Sequence, residues 1–534
     1  MAEQESTTQR RAKLDACLKR IVECDDKNDM IGEIKTALGV PAPVGSPGTL
    51  ELLGKRYRTQ SKSAEDIADR VAQVAASGLP DVWMGKTGAQ ASNVIQAASR
   101  ATQQMTEALQ KASKALLTLG DAIGDAQKLD GTGRDQLHEA LSVLGSEDGF
   151  FDNMVDTDEE DDAVWRAGTV ASAGIDKMLS AAKSADDAAR AAARDLNKFA
   201  SEARAGKMHT NDLSDADKLA LADTAVYVDG PSEMNELLSA NDLERSGRYM
   251  EKMNAQERSK FDKMLADAKS PQERAYIVKG LAAGYDMKAL TDFQGKIHGK
   301  DPAWLQRHLS PVTTKGDSLQ DEGLAEDGSN KNKDNQDFHG EKWSQDGLTC
   351  VPSSTVNARA MVDPLYALEL TGGPSGQEDD PGAFRERLGK EQLRMHDEGD
   401  GSYDYDFPFS RHPNGVSNEG ADTLADKEIS PHTGASYDYQ ETGSADARRD
   451  VLPDIEKSVA DGKPVPIAIE GYNKDDEWEG HAMMIVGQEG NMLQVYNPWG
   501  TTTWVSEDDF VNGHMNKAAD NRMPDAYGVH LPAN

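Results

Sequence analysis

The chain has 534 residues. A single hydrophobic core seldom contains so many residues, so we expect about three to four domains. Its 93 acidic residues exceed its 58 basic residues and give a formal charge of −35. This charge argues against nucleic acid or an anionic membrane as the main ligand, because phosphate recognition needs a basic surface. No apolar stretch approaches the roughly 18 residues of a membrane-spanning helix, and three cysteines are too few for a disulfide framework.

The amino-terminal part of the chain predicts helices rich in small residues. Apolar side chains recur at helical spacing in residues 9–26, and a Pro/Gly-rich break follows at 40–48. Residues 61–76 and 89–127 have the same periodicity and should pair as an antiparallel helical hairpin. Residues 163–205 predict a further Ala-rich helix, and shorter helices should follow as far as Leu309. Cys17 and Cys24 share one helix face, which favours packing as their role.

Trp83, Met84 and Gly85 occupy the bend of the predicted hairpin. This tripeptide, between two Ala/Ser/Gln-rich arms, resembles the WXG-type modules of type VII secretion substrates of actinobacteria, over roughly residues 50 to 130. The alternative is an ordinary tryptophan at the end of a helical hairpin. The family's export signal, a Tyr followed four residues later by an acid, does not occur just after the hairpin. The resemblance therefore implies that a WXG-like partner chain carries the signal.

The carboxy-terminal third has a different pattern. Residues 313–340 are polar and predict a flexible linker, and a helix should follow Cys350. The stretch from that helix to about residue 447 is rich in Gly, Asp and Pro and predicts irregular structure. Short strand-like runs then follow at 465–470, 481–487, 492–496 and 501–505. Because these runs are close in sequence and separated by turns, they predict an antiparallel sheet.

These patterns predict a multidomain chain whose amino-terminal two-thirds are all-α and whose carboxy-terminal domain is α+β. The predicted segments are an amino-terminal helix and linker (1–48), the WXG-like hairpin (49–150), a helical bundle (151–312), the flexible linker (313–340) and the α+β domain (341–534).

Four residues of the α+β domain carry candidate chemistry. Cys350 precedes Pro352, which suits a first helical turn, so the thiol should lie at a helix N-terminus, where the helix dipole lowers a thiol pKa. His481 opens an apolar strand, and Asn497 ends the next strand, so a hairpin would bring the amide to the imidazole and fix its tautomer. Gln345 lies five residues before Cys350. The alternatives are a buried cysteine, a strand histidine, a turn asparagine and a solvated loop glutamine.

Cys, His and Asn in this order and at this spacing resemble papain-like cysteine proteases over residues 340–534. The runs from His481 to Gly487 and from Asn497 to Gly500 resemble that family's histidine and asparagine motifs. The resemblance implies that Cys350 is the nucleophile, His481 the base, Asn497 its orienting group and Gln345 part of an oxyanion hole. Val351 stands where the family usually has Trp, which indicates a divergent bacterial branch.

Other histidines are weaker candidates for the base. Three lie in Gly/Asp/Pro-rich segments, and two come after the asparagine motif, namely His396, His412, His432, His514 and His530. The sequence has no His-x-x-x-His or Cys-x-x-Cys metal spacing and no Gly-rich phosphate loop before a helix, so we expect neither a metal nor a cofactor.

The two resemblances together imply a secreted bacterial effector or polymorphic toxin that hydrolyses peptide bonds in a protein or peptide substrate. They also imply an immunity or inhibitor protein. The polar residues 1–11 carry no Sec-type signal, so we expect a type VII-like route to the cell surface or medium from the cytoplasm. Three alternatives remain open: a glutamine deamidase or transglutaminase, an NlpC/P60-like cell-wall peptidase, and a non-catalytic secretion or adhesion scaffold.

Overall fold

The computed structural model describes most of the chain and divides it into two units. The described residues are 7–74, 86–145, 158–207, 237–310, 324–331, 333–373, 376–406, 410–472, 475–520 and 522–533. The first unit comprises the described residues within 1–60 and 109–196, and the second those within 61–108 and 197–534. Helices come first along the chain and an antiparallel sheet comes last, so the predicted α then α+β layout is confirmed. None of the described helices combines the length and apolar character needed to cross a membrane.

In the described residues before 208, five helices form the front of the chain: α1 (Thr7–Glu23), α2 (Lys27–Leu38), α3 (Pro47–Gln73), α4 (Lys86–Leu144) and α5 (Asp158–Lys207). The core of the first unit joins α1 and α2 to the later part of α4 and the first half of α5, through side chains that include Ile21, Ile34, Leu137 and Ile175. Cys17 is fully buried in this core, as the periodicity of α1 predicts.

Helices α3 and α4 run antiparallel, as predicted. The Ser113 hydroxyl donates to the Gly54 carbonyl oxygen at 2.7 Å, and the Ser61 hydroxyl donates to the Thr106 carbonyl oxygen at 3.1 Å. A later position on one helix thus meets an earlier position on the other. The proposed bend tripeptide, residues 83–85, lies outside the described residues.

Five shorter helices begin the second unit's main body: α6 (Ala240–Lys252), α7 (Ala255–Asp267), α8 (Pro271–Ala282), α9 (Met287–Ile297) and α10 (Pro302–Leu309). Ser239 and Asn254 are the N-cap residues of α6 and α7, and each forms a capping box. The hydrophobic core of these helices includes Leu368, which belongs to the α+β part of the chain. The predicted bundle over 151–312 is therefore wrong as a single domain, because α5 lies largely in the first unit and α6–α10 pack with the α+β region.

The described part of the α+β region contains seven α-helices: α11 (Cys350–Val362), α12 (Pro364–Gly372), α13 (Pro381–Glu398), α14 (Asn418–Leu424), α15 (Ser430–Thr433), α16 (Ala445–Ala460) and α17 (Glu507–Asn512). A π-helical turn, Ala425–Ile429, joins α14 to α15, and a 3₁₀ turn covers Met515–Lys517. Helices α12 and α13 lie in the stretch predicted to be irregular, and their N-termini are capped by Asp363 and Asp380.

The strands are β1 (Asp334–Asn335), β2 (Asp337–Phe338), β3 (Glu341–Lys342), β4 (Tyr403–Asp406), β5 (Ser410–Pro413), β6 (Ser436–Glu441), β7 (Val465–Tyr472), β8 (Trp478–Glu489), β9 (Met492–Asn497), β10 (Thr501–Ser506) and β11 (Asp525–Ala533). Seven form one antiparallel sheet in the order β1-β10-β9-β8-β7-β11-β6. Met483 faces a core that α16 covers, and its neighbour Met484 faces a core that includes Ala358 of α11. Alternate residues of β8 therefore place α16 and α11 on opposite faces of the sheet.

The predicted linker over 313–340 is not a linker along its whole length. Residues 311–323 lie outside the described residues, but β1 pairs with β10 at the sheet edge. The Asn330 amide donates to the Trp504 carbonyl oxygen at 2.7 Å, and Phe338 is fully buried. The α+β region thus begins by residue 324 rather than 341, because a few apolar and amide side chains suffice to fasten a polar segment to a sheet edge.

We expect Tyr285→Phe to destabilise the second unit by about 1–3 kcal/mol. Tyr285 follows α8, and its hydroxyl donates to the fully buried Asp363 carboxylate at 2.7 Å. Loss of the hydroxyl therefore leaves a buried acceptor with one hydrogen bond fewer. Denaturant unfolding of the full chain, followed by tryptophan fluorescence, measures the effect. Tyr57→Phe, at an exposed site in α3, is the matched control. Equal effects of the two changes would contradict the packing of α6–α10 on the α+β region.

Candidate active site

Cys350 is the first residue of helix α11, as the sequence predicts. The preceding residue, Thr349, provides no side-chain cap for the helix, because its hydroxyl instead donates to the Asp346 carbonyl oxygen at 2.9 Å. Pro352 lies in the first turn, where the missing N–H removes no helical hydrogen bond. The first amides of α11 therefore remain available beside the thiol.

His481 and Asn497 meet across the hairpin of β8 and β9, as predicted. The His481 Nε2 atom lies 3.0 Å from the Asn497 Oδ1 atom, and both side chains are buried. Strand β8 begins before the point where it pairs with the end of β9, so that His481 near the start of β8 reaches Asn497 at the end of β9. The apolar residues of the two strands hold this geometry by packing against α16.

Two backbone contacts fix the orientation of the Asn497 amide. Its Nδ2 atom donates to the Ala518 carbonyl oxygen at 2.8 Å, and its Oδ1 atom accepts the Trp499 N–H at 3.0 Å. Because neither backbone group can exchange its role, Oδ1 must face His481, and the imidazole must donate from Nε2. In the neutral ring, Nδ1 is then the nitrogen that can accept a proton.

Trp499 covers the imidazole. Its ring centroid lies 4.8 Å from that of His481 with an angle of 29° between the planes, which is a stacked arrangement. The indole thereby limits the access of water to the hydrogen bond between His481 and Asn497. A shielding role for this tryptophan follows from the sequence, because it lies two residues after the asparagine in the same turn.

Cys350 and His481 line one cavity of about 160 Å³ in the second unit. The backbone amide of Ala482, directly after His481, lies close enough to the Cys350 sulfur to favour its thiolate, and Ser354 of α11 donates to the Ala482 carbonyl oxygen at 3.3 Å. These contacts bring the start of α11 against the start of β8. In the part of the chain that the structure describes, the thiol and the imidazole share the cavity without a hydrogen bond between them.

Burial controls the protonation of both groups. It lowers the pKa of His481 to about 4, against which the Asn497 hydrogen bond and Asp520 act only partly, and Arg522 lowers the pKa further. Burial also raises the pKa of the Cys350 thiol, although the amides of Ala482 and Val351 favour the thiolate. The prediction of a lowered cysteine pKa is therefore wrong for this state, because desolvation outweighs the helix N-terminus. At pH 7 the pair is a neutral thiol and a neutral imidazole.

Gln345 lies near the asparagine turn but does not line the cavity. Its backbone N–H donates to the Pro498 carbonyl oxygen at 2.6 Å, and its side-chain Nε2 atom donates to the Gly347 carbonyl oxygen at 2.8 Å. The side-chain oxygen is buried without a hydrogen-bond partner. In this structure Gln345 braces the loop before α11, and its role in an oxyanion hole stays a prediction.

His530 is a cavity residue that the sequence analysis set aside because it follows the asparagine motif. It lies on β11 and lines the same cavity as Cys350, with its Nδ1 atom 2.6 Å from the Asp422 carboxylate. Tyr527 of β11 also lines the cavity. Alternating apolar residues in 525–533 could have revealed this strand, whereas its place beside β7 depends on the long-range sheet order.

Cys350, His481 and His530 all line the cavity, but among the described residues their ligand atoms do not all lie within 4.8 Å of one another. Among the described residues, one group of three that meets this distance was found elsewhere in the second unit, formed by His308, His339 and Asp379. None of these three residues lines the cavity.

No protein-family model, curated protein or solved structure matches the chain. The case for the site depends on its residues and their geometry.

We expect the second unit to lose stability as the pH falls from about 6.5 to about 4. In this range the unfolded chain protonates His481, whereas the folded chain, in which the pKa of His481 is lowered to about 4, does not. The loss from this group reaches at most about 3 kcal/mol. Unfolding free energies at several pH values should show a shallower slope for His481→Gln. The control, His514→Gln, removes an exposed imidazole and should keep the steeper slope; equal slopes in both variants would refute the assignment.

We expect Asn497→Asp to destabilise the unit by about 1–3 kcal/mol at pH 7. The change replaces the N–H that the Ala518 carbonyl accepts with a second acceptor oxygen. Asn491→Asp makes the same chemical change at the exposed turn between β8 and β9, and its effect should stay within about 0.5 kcal/mol. Denaturant unfolding measures both, and a neutral Asn497→Asp would show that the amide orientation is not fixed as described.

Proposed function

We propose that the chain is an exported bacterial effector whose α+β region is a papain-like cysteine hydrolase acting on peptide bonds. The observation that carries this proposal is the 3.0 Å contact between His481 Nε2 and Asn497 Oδ1. It gives the imidazole the tautomer of a general base and places it at the cavity that Cys350 also lines. It costs folding free energy to bury an imidazole beside an oriented amide and a thiol at a helix N-terminus. Such a combination is typical of a site with a chemical role.

The proposed reaction begins from the neutral pair. As the Cys350 sulfur attacks the substrate carbonyl carbon, its proton passes to His481 Nδ1, and the carbonyl oxygen becomes an oxyanion. The Cys350 N–H, at the first position of α11, can donate to that oxygen. When the C–N bond breaks, His481 returns the proton to the leaving amine. Water then hydrolyses the thioester, with His481 again accepting and returning the proton.

The cavity supports a peptide with an apolar side chain as substrate. Its walls include Val416, Pro466, Ala468 and Met484, and the exposed Trp478 adds an aromatic surface. These apolar parts of the wall favour the burial of an aliphatic or aromatic side chain next to the scissile bond.

The same thioester chemistry allows a second outcome. When the thiol attacks a glutamine side-chain amide, ammonia leaves as the acyl-enzyme forms, and water or an amine then resolves the acyl-enzyme, which is deamidation or transamidation. The cell-wall peptidase and the inert scaffold also stay open, but the scaffold gives no reason for the buried pairing of His481 with Asn497.

Export by a type VII-like route is part of the proposal. Its support is the antiparallel pairing of α3 and α4, which is the arrangement that the WXG-like resemblance implies. The chain would be cytoplasmic before export and would act at the cell surface or beyond it. An immunity protein and a WXG-like export partner follow from the same resemblance.

Incubation of the full chain with a mixture of denatured proteins, followed by mass spectrometry, tests the reaction. We expect cleavage next to apolar residues, loss of cleavage in Cys350→Ala, and a decrease in kcat/KM of about 10²–10⁴-fold in His481→Ala. Conversion of Gln to Glu without cleavage would identify a deamidase instead. Digestion of peptidoglycan alone would identify the cell-wall alternative.

Two controls sharpen this test. Cys24→Ala changes a cysteine outside the cavity and should keep full activity. His530→Ala changes the second imidazole of the cavity; if it abolished turnover while His481→Ala did not, the base would be His530. An unchanged activity in Cys350→Ala, or no turnover and no labelling of Cys350 by a peptidyl chloromethyl ketone, would overturn the proposal.

A further inference from the structure

Three side chains from separate segments converge beside helix α10. The Nε2 atoms of His308 and His339 lie 3.1 Å and 2.7 Å from the same carboxylate oxygen, Asp379 Oδ1. The three ligand atoms lie within 4.8 Å of one another. His308 lies in the last turn of α10, His339 occupies the turn between β2 and β3, and Asp379 precedes α13. The cluster therefore joins three segments that are distant in sequence.

The surroundings hold His308 firmly in place. Its side chain is fully buried, Trp304 stacks on it with 3.9 Å between ring centroids, and Phe338 packs edge-on at 5.0 Å. The other two groups are partly exposed, 28% for His339 and 46% for Asp379, so an ion can reach the cluster from solvent.

The backbone is strained at two of the three residues. His339 has φ 53° and Asp379 has φ 67°, in the left-handed region that residues other than glycine seldom adopt. Only four such non-glycine residues occur among the described positions. Strain of this kind costs of order 1–3 kcal/mol for each residue and is typical of ligand-binding positions.

We propose that His308, His339 and Asp379 bind a divalent transition-metal cation of the Zn²⁺ class. Two imidazole nitrogens and one carboxylate oxygen are a common zinc ligand set, with a water in the fourth position. Ligand atoms about 2.1 Å from a tetrahedral ion are about 3.4 Å apart. The 2.7 Å and 3.1 Å separations need only small side-chain rotations to reach this value.

The ion would fasten helix α10 to the α+β region. Without it, both imidazoles share one carboxylate oxygen. With it, each ligand atom meets the cation, and three segments become cross-linked at one point. Because an ion that binds only the folded chain stabilises it, metal should raise the thermal stability of the second unit. The site is independent of the proposed hydrolase activity.

Calorimetric titration of the chelator-treated full chain with ZnSO₄ tests the proposal. The chain carries Cys350→Ala, so that zinc cannot bind at the thiol and imidazole of the cavity. We expect one tightly bound equivalent of Zn²⁺ and a rise in Tm with added zinc. In the same background, His339→Asn and Asp379→Asn should weaken zinc binding by more than about 100-fold, because removing a ligand costs more than removing an outer partner.

Asparagine is chosen for both changes because it tolerates positive φ and is a weak zinc ligand. Circular dichroism checks that each variant is folded. The matched control is His298→Asn, which removes a partly exposed imidazole that contacts Glu273 at 2.8 Å; it should bind zinc like the parent. No saturable binding by the folded parent, or parental affinity in folded His339→Asn, would overturn the proposal.

Discussion

The candidate active site depends on the fixed orientation of one side-chain amide. Asn497 is held between the Ala518 carbonyl and the Trp499 N–H, and these backbone groups decide which of its atoms faces His481. The imidazole must therefore carry its proton on Nε2 and present a bare Nδ1. Hairpin β8–β9, the turn that follows it and the 3₁₀ segment before Ala518 all contribute to this constraint. A change in any of them would alter the tautomer before it altered the fold.

The same burial that fixes the imidazole of His481 also keeps it uncharged. His481 is held neutral and the Cys350 thiol is held protonated, since both are removed from water. A neutral pair avoids the cost of two buried charges in the free protein, and charge develops only when a substrate carbonyl is attacked. Such a site should be less reactive toward simple alkylating agents than toward a bound substrate, because only a bound carbonyl places the new negative charge beside the helix N-terminus.

Local patterns sufficed for the residues whose neighbours in sequence determine their place. The start of α11, the end of β9 and the pairing of α3 with α4 follow from capping, alternation and periodicity, whereas β8 begins at Trp478 rather than at His481. The direction of the Gln345 side-chain amide does not follow from such patterns, because the nearby Gly347 carbonyl oxygen accepts its N–H. His530 and the cluster around Asp379 were also missed. The order of strands in the sheet determines the position of His530. The members of the cluster around Asp379 are 31 and 40 residues apart in sequence, so no spacing rule can detect either feature.

The helices before the α+β region also take part in positioning the thiol. Helix α11 begins at Cys350 and ends at Val362, and the fully buried carboxylate of the next residue, Asp363, accepts the Tyr285 hydroxyl and the amides of Leu365 and Tyr366. The far end of the helix that carries the thiol is thus held by the segment after α8. Because this end of α11 is held by the Tyr285 hydroxyl, the segment after α8 also constrains where the first residue of the helix, Cys350, lies against β8. This contact is one physical reason why residues 240–309 belong to the same unit as the α+β region.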